Sequence, residues 1–137
     1  MRSVTNEELI RSAASFVRAR KQGDATVGGV GCALVSENNN LYLGMCIDTS
    51  SGMGFCAEHN AIGSMVTAGE SRIRKIVAVW IGKGKKRGVY ILSPCGRCRE
   101  FMYRINKANL STEVVLAKNR TVPLRTLLPH HDWFKKI

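Results

Sequence analysis

The sequence predicts an α/β layered domain on three observations. Some stretches repeat apolar residues at helical spacing, others run apolar without a break, and the two kinds alternate along the chain. The connections between them are short, and there is no internal repeat or low-complexity segment. At 137 residues with 45% hydrophobic residues, the chain reads as a single domain spanning 1–137, long enough to bury a core.

The first element starts at "TNEE", where Thr5 and Glu8 have capping-box spacing. Leu9, Ile10, Ala13, Phe16 and Val17 then recur at helical intervals, which predicts a helix over residues 6–21. "VGCALVS" and "LYLGMCI" read as strands joined by the turn-forming "ENNN", a hairpin. "CAEHNAIGSMVTAG" reads as a second helix with Gly69 as its cap. "IRKIVAVWIG" is continuously apolar enough for a strand buried on both faces, which places Trp80 in the core. "VYILSP" leads into a third helix over residues 95–106, "STEVVLAK" is a further strand, and "VPLRTLLP" makes a short helix stopped by Pro129.

No apolar run long enough for a secretory signal opens the chain, and none approaches a membrane span, so a cytoplasmic location without membrane attachment is expected. The net charge of +11 raises the possibility of nucleic acid, but the cations are dispersed apart from Lys83, Lys85, Lys86 and Arg87 in one Gly-rich loop. A solvated face accounts for most of that charge. Five cysteines is an odd number, and in a reducing compartment a close pair points to metal or redox chemistry before disulfides.

Cys56 opens the second helix, and Cys95 with Cys98 lie on the first turn of the third. Positions three apart share a helical face, and the partial positive charge of a helix start favours thiolates. Three thiolates on two helix starts can form a tripod for zinc. Three protein ligands with one open position is the pattern of catalytic rather than structural zinc. His59 is the nearest candidate for a fourth ligand, but it reads better as a neighbour bonded to a ligand. Glu58 lies two residues beyond Cys56, where its carboxylate can take a proton from an activated water and deliver it to a leaving amine. A ligand-x-Glu element followed by Pro-Cys-x-x-Cys is the signature of zinc nucleobase deaminases; here "CAE" and "PCGRC" stand about 40 residues apart.

Over most of its length the chain resembles the small zinc-dependent cytidine deaminases, and especially their blasticidin S deaminase-like branch. The resemblance rests on "VGCALVS", "CAEHNAIGS", "SPCGRCRE" and the tail "LLPHHDWF". It implies a three-layer α/β/α fold with a mixed five-stranded sheet, one zinc per chain, hydrolytic release of ammonia from an aminopyrimidine, and a homotetramer whose sites neighbouring subunits complete.

Carried over by position, the resemblance makes Cys56, Cys95 and Cys98 the zinc ligands and Glu58 the proton shuttle. It turns the backbone around Ala57 and Ser93 toward the pyrimidine and the departing amine, and places Trp133 and Phe134 in the tail near an interface or the substrate. Three positions depart from the family pattern. Gly28 stands where a base-packing aromatic is usual, Cys46 and Asp48 replace a ribose-binding Asn-x-Glu, and His59 replaces an Arg that bonds the thiolates. Asp48 remains a substrate-binding candidate, and Arg99 is a candidate for offsetting thiolate charge. Cys32 and Cys46 read as small buried hydrophobes, and His130 and His131 as surface residues.

The function predicted is hydrolytic deamination of a cytosine-bearing small molecule, either a cytidine-like nucleoside or a blasticidin S-like conjugate. Plain cytidine is expected to be the poorer substrate. Behind it stand deamination of a base in single-stranded nucleic acid, which needs stacking aromatics that do not interleave with "KGKKRG", and a non-catalytic zinc module binding RNA, which leaves Glu58 idle.

Overall fold

A computed structural model describes residues 3–132 and 134–137. In chain order its elements are α1 (Asn6–Ala14), β1 (Arg20–Gln22), β2 (Ala25–Ser36), β3 (Leu41–Asp48), α2 (Ala57–Thr67), β4 (Ile73–Gly82), β5 (Gly88–Leu92), α3 (Gly96–Ile105), β6 (Glu113–Ala117), β7 (Arg120–Pro123) and α4 (Leu124–Leu127). The capping box forms as its spacing predicts: the Thr5 hydroxyl accepts from the Glu8 amide, and the Glu8 carboxylate accepts from the Thr5 amide, both at 3.1 Å. The helix stops well short of residue 21. Beyond it the chain turns, the Arg18 amide donates to the Gly28 carbonyl at 2.8 Å, and β1 pairs with the start of β2.

The sheet is mixed and has seven strands rather than the five expected. The two extra strands, β1 and β7, are three and four residues long. β2 pairs antiparallel with β3 on one edge and with β4 on the other. The far edge of β4 is shared by β5, antiparallel along Ala78–Gly82, and β6, parallel at Lys75 and Ile76. Alternation along the strands feeds two separate cores. Cys32, Leu34, Ile76 and Val114 face α2 and α3, where they meet Ala61, Ile62, Met65 and Met102. Ala33, Val77, Val79 and Val115 face α1, against Leu9 and Ala13. Helices therefore cover both faces, giving the three-layer α/β/α arrangement.

Two features position the helices that carry the chemistry. At Gly44 in β3 a Cβ would stand 2.3 Å from the Ala61 amide nitrogen and 2.6 Å from the Ala57 carbonyl oxygen, so only glycine lets α2 lie this close to the sheet. Asn109 is fully buried at the exit of α3. Its side chain accepts from the Ile73 amide at 2.8 Å and donates to the carbonyls of Met102 and Ser71 at 2.9 and 3.0 Å, tying the end of α3 to the start of β4. Trp80 lies outside the core, contrary to the sequence reading; it is 37% exposed, because helix cover ends before the β4–β5 hairpin does.

The "ENNN" turn is held by a clamp. Glu70, just past α2, accepts from the Tyr42 hydroxyl at 2.6 Å and from the side-chain amides of Asn40 and Asn38 at 2.9 and 2.8 Å. These donors, Tyr42 foremost, hold its carboxyl down at about 2.

Two outcomes follow from these contacts. Asn109→Ala leaves one amide and two carbonyls without their partner and should cost about 3 kcal/mol in denaturant unfolding. Because the folded pKa of Glu70 is depressed, its contribution to stability is complete above the ordinary carboxylate range near 4.5 and is lost as pH falls toward about 2. The stability gap between wild type and Glu70→Gln should therefore be open at pH 6 and close across that window. A gap constant with pH would show that the clamp does not depend on charge.

Candidate active site

The site is built where α2 and α3 begin. Cys56 is the N-cap of α2 and Cys95 the N-cap of α3, with Cys98 three residues on. The sequence folds this way because Phe55 closes a two-bond bridge with Ile47, its amide donating at 2.9 Å and its carbonyl accepting at 3.1 Å, which delivers the chain to α2 beside the end of β3. The end of β5 delivers Ser93 and Pro94 to α3 in the same way. The sulfurs of Cys56, Cys95 and Cys98 consequently lie within 4.8 Å of one another, and Cys56 and Cys95 are 3.9 Å apart.

These donors suit zinc. Two sulfurs bound tetrahedrally at ~2.3 Å stand about 3.8 Å apart, close to the spacing found. Electrostatics point the same way. Burial pushes the Cys98 thiol far up, and the Glu58 carboxylate and the other two sulfurs push it further. Cys56 is raised mainly by burial. For Cys95, burial works upward but is outweighed by hydrogen bonds from the Cys98 and Arg97 amides and from the neighbouring thiols, which leave it below its ordinary value. Three sulfurs so placed cannot all ionise beside a carboxylate unless a cation joins them.

Glu58 lies beside them on the first turn of α2 with 6% of its surface exposed, and burial raises its carboxyl above the usual range. Glu58, Cys56, Cys95, Ala57, Ser93 and Asp48 all line one cavity of about 420 Å³. His59 sits outside that wall. Its Nδ1 is 3.3 Å from the Cys98 sulfur, its ring stacks on Phe101 at 4.2 Å and 3°, and burial, then Arg97, lower its pKa. His59 thus lies within hydrogen-bond reach of a thiol and not in the cavity wall.

Other expected residues are placed differently. Arg99 donates to the Pro94 carbonyl at 2.7 Å, the Leu127 carbonyl at 3.1 Å and the Ser93 hydroxyl at 3.1 Å, so it ties the loop before α3 to α4 and bonds no sulfur. Phe134 is 76% exposed and lines a separate cavity with Tyr103, Arg104 and Lys107, because the tail runs along α3 away from the thiols. Trp133 lies outside the described residues. Cys32 and Cys46 are buried, as expected of small hydrophobes. Cys46 also reaches the cavity wall, where its sulfur accepts from the Val30 amide at 3.2 Å and lies 3.8 Å from Asp48 Oδ2.

Gly28 cannot be replaced by an aromatic in this backbone. Its φ is +80°, and a Cβ would meet the Arg18 carbonyl oxygen at 2.4 Å. The ring that lines the cavity is Phe55, which the sequence reading missed together with Arg97 and Thr49. Thr49 has a buried hydroxyl with no partner among the described residues. The available signal was adjacency: Phe55 precedes Cys56, and Arg97 sits inside "PCGRC".

The arrangement predicts tight binding of one zinc per chain, measurable by elemental analysis. Cys95→Ser should lower metal content sharply. Cys32→Ser, altering a thiol in the core, should leave it intact; equal metal in all three proteins would rule out the thiol site.

Comparison with known proteins agrees with this geometry. A family model described as the cytidine and deoxycytidylate deaminase zinc-binding region matches residues 4–114. A cytidine deaminase of Mycoplasma genitalium is 38% identical over 72 residues, which are 52% of this chain and 51% of that protein, so the match spans about half the length of this curated relative. The crystal structure of cytidine deaminase from Mycobacterium leprae superposes with a TM-score of 0.72 at 21% identity, covering 93% of this chain and all (100%) of that one. The Burkholderia pseudomallei cytidine deaminase does so at 0.70 and 27% identity, covering 93% and 98%. Because the family model matches residues 4–114, well over half of the chain, the chain belongs to the cytidine and deoxycytidylate deaminase zinc-binding family.

Proposed function

We propose that the protein is a zinc-dependent aminohydrolase that deaminates a cytosine-bearing small molecule to its uracil analogue, with release of ammonia. The observation that carries this reading is a buried carboxylate, Glu58, in the wall of a ligand-sized cavity beside three convergent thiols. Cys56, Cys95 and Cys98 would hold zinc, which when bound activates water by acting as a Lewis acid. Glu58 takes the proton from the attacking water and hands it to the amine as that leaves C4 of the base; burial makes its carboxyl a better proton carrier than an exposed glutamate. The backbone at Ala57 and Ser93 faces the ring and the departing amine, and Phe55 offers its ring face to the base. His59, stacked on Phe101, fixes the Cys98 sulfur by hydrogen bonding.

The substrate is either a cytidine-like nucleoside, favoured by the names of the relatives, or a larger conjugate of the blasticidin S kind. The conjugate is favoured by the pair Cys46 and Asp48, a weaker hydroxyl-binding set than two longer polar side chains. Asp48 is exposed at the cavity and available to a substrate hydroxyl or cation. Assembly as a homotetramer is supported by Leu41, Leu43 and Met53, large apolar side chains left exposed outside the cavity. A cytoplasmic setting suits five free cysteines, and no helix of the described residues is long and apolar enough to cross a membrane.

An ammonia-release screen over cytidine, deoxycytidine, cytosine, blasticidin S and a cytosine-containing oligonucleotide tests the reading. Release is expected from at least one of the small molecules and not from the oligonucleotide. Glu58→Gln should retain its zinc and lose at least ~10²-fold in turnover, the lower end of general acid–base contributions. Near-normal turnover in that variant would reduce Glu58 to a structural role. Sedimentation should give a mass near four times 15.1 kDa.

A further inference from the structure

The β4–β5 hairpin carries features that deamination does not use. Its turn holds Lys83, Lys85, Lys86 and Arg87, the chain's densest basic run. The turn is fixed, with the Lys86 amide donating to the Lys83 carbonyl at 3.1 Å and the Arg87 amide to the Gly84 carbonyl at 3.2 Å. Below it Trp80 and Tyr90 are paired across the strands and both exposed, their rings 5.1 Å apart and tilted by 40°. Beside Trp80 is a further cavity of about 430 Å³, similar in size to the one beside the thiols. Arg18, Lys83 and Lys86 line it together with Trp80, over an apolar floor that includes Val17 and Ile81. Among the described residues lining it there is no carboxylate.

We propose that this cavity is a binding site for a nucleoside polyphosphate, with the base against the face of Trp80 and the phosphates held by Arg18, Lys83 and Lys86. Three cations without an acidic counterpart are an anion site, since their mutual repulsion falls when a multivalent anion enters. An exposed indole ring steadied by a tyrosine gives a flat face for a base, which simple anions do not need. A second copy of this chain is the wrong occupant of this cavity, because a symmetric contact here would set Arg18, Lys83 and Lys86 against the same three cations of the other copy. Arg18, Lys83 and Lys86 converge on one half-open concavity of about 430 Å³, a size that suits a mononucleotide over a polynucleotide strand.

Equilibrium dialysis of the full zinc-loaded chain against ATP tests the assignment. One ATP per chain is expected. Affinity should fall at least ~10-fold in the Lys83→Gln, Lys86→Gln double variant, as charged hydrogen bonds are lost. It should fall at least ~5-fold in Trp80→Ala and largely recover in Trp80→Phe, the size expected of base stacking. Inorganic triphosphate should bind more weakly than ATP by a similar factor. No binding at millimolar ATP, or inorganic triphosphate binding as tightly as ATP, would overturn the site. So would loss of binding in Arg97→Ala with the lysine variant unaffected, which would put ATP in the thiol cavity instead. A single-stranded RNA binding far more tightly than ATP through the same residues would replace the mononucleotide with a polynucleotide.

Discussion

The mutual repulsion of three sulfurs gathered within 4.8 Å is the constraint on which the rest of the fold depends. Holding all three as thiolates takes a cation to receive them and a scaffold that resists their separation. That scaffold is two helix starts. Each supplies free amides and a dipole oriented toward the sulfurs, so the helices relieve part of the charge they concentrate. The starts meet because β3 ends beside α2 and β5 ends beside α3, and both strands are anchored through the central pair β2 and β4.

Glu58 follows from the same geometry. A carboxylate two residues past an N-cap lies on the first turn, and here it is directed with Cys56 into one cavity. In this fold that direction is inward, so its carboxyl is buried and raised, and its chemistry is set by depth as much as by residue type. Close packing at Gly44 keeps it there: a larger residue would lift α2 off β3 and carry Cys56 and Glu58 away from Cys95 together. His59 and Phe101 add a second tie between the helices, on the side away from the cavity.

What could be read in the sequence divides along these lines. The helix starts, the three thiols and Glu58 were legible because, in each of two segments, the cap and the chemistry-bearing side chain lie within a few residues of each other, where local spacing fixes geometry. β1 and β7 were not legible, because three or four residues carry no alternation and exist as strands only through their partners. Trp80 was misplaced because a continuous apolar run reads as buried on both faces wherever it lies, while helix cover is a tertiary fact. Arg99 was legible only as a charge following the last thiol; its bonds go to backbone and hydroxyl oxygens that only the folded loop brings within reach. The substrate end was the least legible of all, since Cys46, Asp48, Phe55 and Arg97 come from separate segments.

Charge shows the same contrast between local and global. A net +11 argues against a cationic substrate only if the whole surface acts at the site, yet exposed charges are screened beyond about 8 Å at physiological salt. Inside the thiol cavity the field is set by what lines it: the Glu58 and Asp48 carboxylates, the sulfurs with their metal, and Arg97 as the lone cation among the described lining residues. Three thiolates exceed the charge of one zinc, so this inner balance is negative even though the surface is strongly positive. The basic hairpin contributes to the surface and lines a different cavity. A substrate bearing positive groups would therefore meet repulsion on approach and attraction on arrival. On the function proposed, the net charge would bear on how fast it binds, and the cavity-lining charges Asp48 and Arg97 on which compound is held.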